Sequence, residues 1–303
     1  MQSYLYLSYK CNCNCFFCAS DQTNLIRDNN EVSLNDAKRF IESCPDKTNL
    51  IISGGEPSIH KDIIGIIKFA KLFFGHVSMM TNGLRLADNA FLNSIIDAGL
   101  DGLYIPFYSS ERTEYNYLVG NDNAYDHYIQ GLININNLIK EKSFDVNVKL
   151  LLAKFTYKIN PNSIKFLASH FPNIKKVSLH GFHISDKAFK RADECVVNYR
   201  EARPNNDLTI QYLANGGFDF HISEIPLCAF SDSIIWYLLQ SGRIAYSDET
   251  FLKRPDWKTA KVSSQSYFPE ECKSCALFDL CPKLLSKNTD QFDFGIKPIM
   301  LSD

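Results

Sequence analysis

The sequence predicts an α/β fold, a parallel sheet covered by helices, from three observations. Strand-like runs alternate with helix-like ones over residues 1–180, apolar residues recur at helical spacing between them, and the motifs that carry chemistry fall at strand C-terminal ends. Strands are expected at Tyr4–Ser8, Asn49–Ser53, Val77–Thr81, Gly102–Phe107, Asp145–Leu152 and Val177–Gly181. Helices are expected at Leu34–Ser43, Ile63–Phe74, Ala90–Ala98, Tyr125–Lys140 and Ser163–Phe171. Ser33 followed by Asp36 fits a capping box, and Gly75 fits a left-handed helix cap. Six βα units are two short of a closed eight-stranded barrel. The expected architecture is therefore a partial (βα)6 TIM-like barrel, open, with its site at the strand C-terminal ends.

After about Ala188 the alternation weakens. Residues 191–207, RADECVVNYREARPNND, read as a polar connection, and short strands and cysteines are expected from Leu208 onward. A boundary near Asn205 gives a barrel over residues 1–204 and a small cysteine-rich domain over residues 205–303.

Composition narrows the class. With 45% hydrophobic and 22% charged residues over 303 positions, disordered and fibrous classes are excluded. A net charge of −2 and the lack of a Lys/Arg block leave a nucleic-acid partner unsupported. The first residues lack the apolar core and cleavage site of a secretory signal. No apolar run reaches about 18 residues, so no membrane association and a cytoplasmic location are expected. Ten cysteines in such a chain point to metal or redox chemistry rather than a disulfide framework. Cys11, Cys13, Cys15 and Cys18 cluster near one end, Cys272, Cys275 and Cys281 near the other, and Cys44, Cys195 and Cys228 stand alone.

Cys11, Cys15 and Cys18 are spaced C-x-x-x-C-x-x-C directly after the first strand. Three thiolates can hold one cubane cluster and leave its fourth iron open to a ligand. A zinc knuckle is the alternative, but it usually takes four ligands at shorter paired spacings. The run CNCNCFFC resembles the signature of the radical S-adenosylmethionine (SAM) enzymes, in which SAM chelates the open iron. That resemblance implies one-electron cleavage of SAM to a 5′-deoxyadenosyl radical that abstracts hydrogen from a substrate. It places Phe17 near the adenine and gives Cys13 no ligand role.

Gly54-Gly55-Glu56-Pro57, after the second strand, resembles the GGEP element that contacts the SAM amino group in that family. Glycines would let the backbone approach a ligand, and Glu56 would supply structure or charge beside a cation. Thr81-Asn82 and Ser109-Ser110 stand where family members place SAM-contacting polar groups, although Thr81-Asn82-Gly83 also suits a simple turn. Lys149, in an otherwise apolar strand, could face a carboxylate of SAM or substrate, or solvent.

Cys272-Lys-Ser-Cys275 followed by Cys281 resembles the core of the SPASM and twitch extensions, which carry auxiliary four-iron four-sulfur clusters. The segment from Cys228 through Gly242 and Tyr246 is similar to the SPASM opening, but Ser247 and Leu285 stand where further cysteines would be. Four cysteines, Cys228, Cys272, Cys275 and Cys281, suffice for one auxiliary cluster and suggest a twitch-like domain. Structural zinc is the alternative.

The resemblance implies a flavodoxin- or ferredoxin-type reductant as partner. It favours maturation of a ribosomally made peptide by crosslinking, thioether formation or epimerisation, with a separate peptide-recognition protein, because little chain precedes Cys11. A radical dehydrogenase of a small amino sugar or cyclitol is the alternative, and a non-catalytic iron–sulfur or zinc protein is disfavoured. Cys195 is a candidate hydrogen donor or a small buried hydrophobe, as Cys44 is. His180 and His183 are candidate substrate contacts or polar loop residues.

Overall fold

The computed structural model describes residues 2–18, 31–182, 184–245, 270–282, 293–296 and 298–300. Its elements run β1 (Gln2–Tyr6), α1 (Leu34–Ser43), β2 (Asn49–Ser53), α2 (Ile63–Lys71), β3 (His76–Met80), α3 (Asn89–Asp97) and β4 (Gly102–Pro106). There follow α4 (Arg112–Val119), α5 (Ala124–Glu141), β5 (Asp145–Leu152), α6 (Asn160–His170), β6 (Lys176–Gly181), α7 (Asp186–Phe189) and α8 (Ala192–Cys195). The sheet is completed by α9 (Tyr199–Asn215), β7 (Asp219–Ser223), α10 (Asp232–Gln240) and β8 (Ile244–Ala245).

Among the described residues eight strands pair in parallel and in sequence order, β1 to β8, in the curled half-barrel of an α/β fold. Alternation along each strand separates two faces. Leu50 and Ile52, Val77 and Met79, Leu103 and Ile105, Val148 and Leu150, and Phe220 and Ile222 are buried with the apolar faces of the helices in one core. The opposite, inner face carries Tyr6, Ser53, Ser78, Tyr104, Asn147, Lys149, Ser178, His180, His221 and Ser223, placed together by the register.

The capping box at α1 is present: Ser33 Oγ accepts from Asp36 N at 3.1 Å and donates to its carboxylate at 2.7 Å. Gly75 is not a left-handed cap. Helix α2 ends at Lys71 with Leu72 as its right-handed C-cap, and Gly75 N instead donates to Lys47 O.

The larger corrections fall after Ala188. The expected polar connection contains α8 and about the first half of α9, and the expected boundary at residue 204/205 lies inside α9. The sheet continues through β7 and β8 rather than stopping at six strands. Helix α9 forms because Asn198 caps it through Arg200 N and Glu201 N, and because Tyr199, Ala202, Asn206, Thr209, Ile210 and Leu213 make a buried stripe at helical spacing. Pro204 sits inside this helix and removes one hydrogen-bond donor. Among the described residues no helix is long and apolar enough to cross a membrane.

Candidate active site

The segment from Tyr9 to Cys18 leaves the C-terminal end of β1 and is fixed to the ends of its neighbours. Gly55 N donates to Ser8 O at 2.7 Å and Glu56 N to Lys10 O at 2.8 Å. Gly54 has φ +139°, and a side chain there would put its Cβ 2.5 Å from Ser8 O. At Gly55 a Cβ would strike the backbone of Tyr9 and Lys10. The two glycines thus let the turn after β2 press against the backbone that leads into Cys11. The close approach expected toward a ligand is here an approach to the cysteine loop.

Glu56 is 1% exposed, and its carboxylate is engaged by three donors. Oε1 accepts from Ser58 N at 2.9 Å and Thr81 Oγ1 at 2.7 Å, and Oε2 accepts from Asn82 N at 2.6 Å. Burial raises its pKa, and these hydrogen bonds oppose the rise. Glu56 therefore clasps the end of β3 to the turn after β2, with buried Pro57 opening that turn. Thr81 closes the turn by accepting from Gly83 N at 3.1 Å.

Asn82 carries the clasp onward to the cysteine loop. Its Nδ2 donates to Asn12 Oδ1 at 2.6 Å and approaches the sulfurs of Cys13 at 3.5 Å and Cys11 at 3.8 Å. The residues between the cysteines are anchors as well. Asn12 O accepts from Asn121 Nδ2 at 3.0 Å, Asn14 N donates to Val119 O at 2.8 Å, and Lys187 Nζ donates to Asn14 Oδ1 at 2.7 Å. Gly120, the left-handed cap of α4, lets the loop lie against it: a Cβ there would be 2.6 Å from Asn14 O.

Phe16 and Phe17 hold the loop from below. Phe17 is 3% exposed, stacks on Phe155 at 4.4 Å and meets Tyr108 edge-on at 5.0 Å. The Arg191 guanidinium lies 4.1 Å over the Phe16 ring and pairs with Glu194. Cys195 is fully buried in the same cluster with Phe16, Phe17, Leu118 and Ala188. Cys44 is buried at the end of α1.

The donor set suits an iron–sulfur cluster. The Cys11 thiol is lowered to about 7, chiefly by a hydrogen bond with the Cys13 thiol, while Cys13 is raised by the same bond. Burial, then the nearby Cys18 and Cys11, pushes Cys15 up to about 12. These three thiols sense one another's charge, and an iron cluster binds them as thiolates. Among the described residues no three His, Cys, Asp or Glu side chains converge closely enough for a single ion. A cubane spreads its ligands over separate irons and does not require that convergence.

The second set is assembled from separate segments. Cys228 is buried in a short turn after β7, while Cys272, Cys275 and Cys281 lie on short 3-10 turns at Glu270–Ser274 and Phe278–Leu280 and beside them. Burial, opposed by the Leu227 N–H bond and followed by the charges of Cys228, Cys275 and Cys272, pushes Cys281 up to about 12. Burial, then Cys228 and Cys275, pushes Cys272 up to about 11. The four thiols therefore lie within electrostatic reach of one another, and a cluster bound as thiolates fits this set too. Leu227 N donates to Cys281 Sγ at 3.4 Å, Ile299 N to Cys275 Sγ at 3.3 Å, and Arg203 to Cys228 O at 2.9 Å. Tyr246, Ser247 and Leu285 lie outside the described residues, as does His183.

The remaining sequence-derived candidates are placed as follows. Ser109 is 1% exposed, donates to Glu114 and accepts from Glu111 N at 3.0 Å, which makes it part of the start of α4. Lys149 and His180 lie on the inner face. Sequence reasoning missed Asn12, Asn14, Asn121 and Lys187 as anchors and His221 as a second inner-face histidine. The one available signal was the doubled asparagine inside the cysteine run.

Residues 5–151 match the sequence model of the Radical SAM superfamily. The chain thus carries a radical SAM domain, the domain of an enzyme superfamily, which implies a four-iron four-sulfur cluster and SAM as cofactors. Among curated relatives, a "Probable GTP 3′,8-cyclase" of Saccharolobus islandicus is 29% identical over 202 residues, 62% of this chain and 60% of that protein. One from Methanopyrus kandleri with the same description is 30% identical over 164 residues, 54% of this chain and 51% of that protein. The chain therefore matches only about three fifths of the length of such relatives. Among solved structures, native anSMEcpe with bound AdoMet has a TM-score of 0.60 at 13% identity, over 93% of this chain and 88% of that one. Streptococcus suis SuiB bound to precursor peptide SuiA has a TM-score of 0.58 at 16% identity, over 73% of this chain and 48% of that one. These likenesses establish the fold.

Proposed function

We propose that the chain reductively cleaves SAM at a cluster held by Cys11, Cys15 and Cys18 and uses the resulting radical to abstract hydrogen from a substrate lying against the inner face. The observation that carries this reading is the cysteine loop itself. The loop that carries these three cysteines is anchored by hydrogen bonds to the ends of β2, β3 and α4, on the face of the barrel where parallel α/β folds place their chemistry. When bound, the cluster supplies one electron to SAM. Glu56 and Asn82 hold the loop, and Phe17, buried with Phe155, braces it from beneath. A flavodoxin- or ferredoxin-type reductant would deliver the electron.

Cys228, Cys272, Cys275 and Cys281 would hold one auxiliary cluster that relays electrons or braces the fold. Maturation of a ribosomally made peptide is the substrate reading we favour, supported by the cysteine pattern and by the fold shared with peptide-bound SuiB. A small phosphorylated substrate is the second reading, supported by the relatives described as probable GTP 3′,8-cyclases.

Anaerobically reconstituted protein with a strong reductant should convert SAM to 5′-deoxyadenosine. Replacing Cys11, Cys15 and Cys18 together by Ala should abolish it, and unchanged product in that variant would refute the assignment. The same variant should keep about four iron atoms per chain at the second set, whereas zinc there would mark a structural site.

A further inference from the structure

The turn that carries Cys228 is gripped by one face of α9. Tyr199, Arg203, Asn206 and Asp207 recur at the three- and four-residue spacing that puts side chains on the same side of a helix. Three of them bond to the backbone of that turn and of the residues just after it. Arg203 donates to Cys228 O at 2.9 Å, Asn206 Nδ2 donates to Ala229 O at 3.0 Å, and Asp207 accepts from Ser231 N at 3.0 Å. The fourth, Tyr199, is 1% exposed, and burial followed by the charges of Cys228, Glu224 and Cys281 raises its phenol. Helix α9 is therefore the floor of the second cysteine site.

Arg203 differs from its neighbours on this face. A neutral amide is enough to hold a backbone carbonyl, as Asn206 does at Ala229, yet position 203 carries a permanent charge. Its Nε is buried and, among the described residues, has no hydrogen-bond partner. A charged donor shut away from water without an acceptor is costly. Cys272 and Cys281 each sense the charges of Cys228 and Cys275, and a centre bound to these four as thiolates is anionic. Such a centre supplies the acceptor and the countercharge that the guanidinium lacks.

We propose that Arg203 is a positioning residue for the cluster at Cys228, Cys272, Cys275 and Cys281: its guanidinium fixes the Cys228 backbone, places a positive charge and an unused N–H donor beside the cluster, and so raises the cluster's reduction potential. This inference rests on the proposed auxiliary cluster. Reduction adds an electron to a centre that is already anionic, so a neighbouring cation stabilises the reduced form more than the oxidised one.

The test is an equilibrium redox titration of the full-length, reconstituted protein followed by electron paramagnetic resonance. Replacing Cys11, Cys15 and Cys18 by Ala in every sample leaves the second cluster as the only signal, and metal content is measured alongside. R203Q keeps a donor for Cys228 O without the charge and should shift the midpoint to a more negative potential. R203K keeps the charge and should stay closer to the parent than R203Q does. N206A removes a neutral clasp from the same turn and should leave the midpoint where it is. Loss of iron from R203Q with retention in R203K and N206A likewise supports the proposal, because charge is then what holds the cluster. An unchanged midpoint in R203Q, an equal shift in N206A, or loss of iron from R203K as well as from R203Q would overturn it. Zinc or no metal in the parent would overturn the auxiliary-cluster reading itself, and the metal content separates that failure from a failure of the role given to Arg203.

Discussion

The two cysteine sites are built in opposite ways. The first occupies eight consecutive residues, Cys11 to Cys18, and receives hydrogen bonds or close backbone packing from the turns after β2 and β3 and from the end of α4. The second draws on Cys228, on residues 272–281 and on a contact from Ile299, and although the turn of Cys228 is buried, neither of the 3-10 turns at Glu270–Ser274 and Phe278–Leu280 has a buried residue. A site encoded in one continuous loop can be preset by the barrel that carries it. One gathered from distant segments depends more on whatever it binds, because each segment pays its own ordering entropy.

The largest effect that would sharpen this contrast is expected from Glu56→Ala. It would leave two buried donors and one partly buried donor without their acceptor, at a cost of about 3 kcal/mol or more. The denaturation midpoint should fall and iron at the first site should be lost, while iron at the second site persists in the folded fraction. Retention of full first-site iron with unchanged stability would remove Glu56 from its role as clasp.

Asn82→Leu should have a smaller and more local effect. The side-chain bond to Asn12 is partly exposed and is worth about 1 kcal/mol, so global stability should change little. Chelator should nevertheless strip the first cluster several-fold faster than in the wild type, with the second unaffected. Equal rates would mean that the loop is held by its backbone bonds alone.

Cys275→Ala should disturb the barrel least, by under about 1 kcal/mol in unfolding experiments, because its turn packs lightly. It should empty the second site and impair substrate conversion more than uncoupled SAM cleavage. Parallel loss of both activities in a folded variant would contradict the separation of roles.

How much of this was legible in the sequence depends on the distance over which each feature is decided. Strands such as Asn49–Ser53 and Asp145–Leu152 were readable to the residue, because their alternation is local. The cysteine spacings were readable because each lies within a short stretch of sequence, Cys11 to Cys18 and Cys272 to Cys281. Helix α9 was missed because Pro204 and a run of polar residues hide a stripe whose middle is Ala202, Asn206 and Thr209, with large side chains only towards its ends, at Tyr199 and at Ile210 and Leu213. Asn206 is buried only because its amide reaches Ala229 O, a partner 23 residues away. The anchors of the cysteine loop were illegible for the same reason: Asn121 meets Asn12 across 109 residues. GGEP was found by its pattern, but the demand on its glycines comes from Ser8 and Lys10, which only the folded sheet brings alongside.

The account rests on the first site presenting an open iron to SAM independently of the second. Electron paramagnetic resonance of the reduced protein tests this directly, recorded with and without SAM in the wild type and in a variant with Cys272, Cys275 and Cys281 replaced by Ala. SAM should change the spectrum of the wild type and should change that of the variant in the same way. A reduced cluster at Cys11, Cys15 and Cys18 whose spectrum is indifferent to SAM would contradict the account.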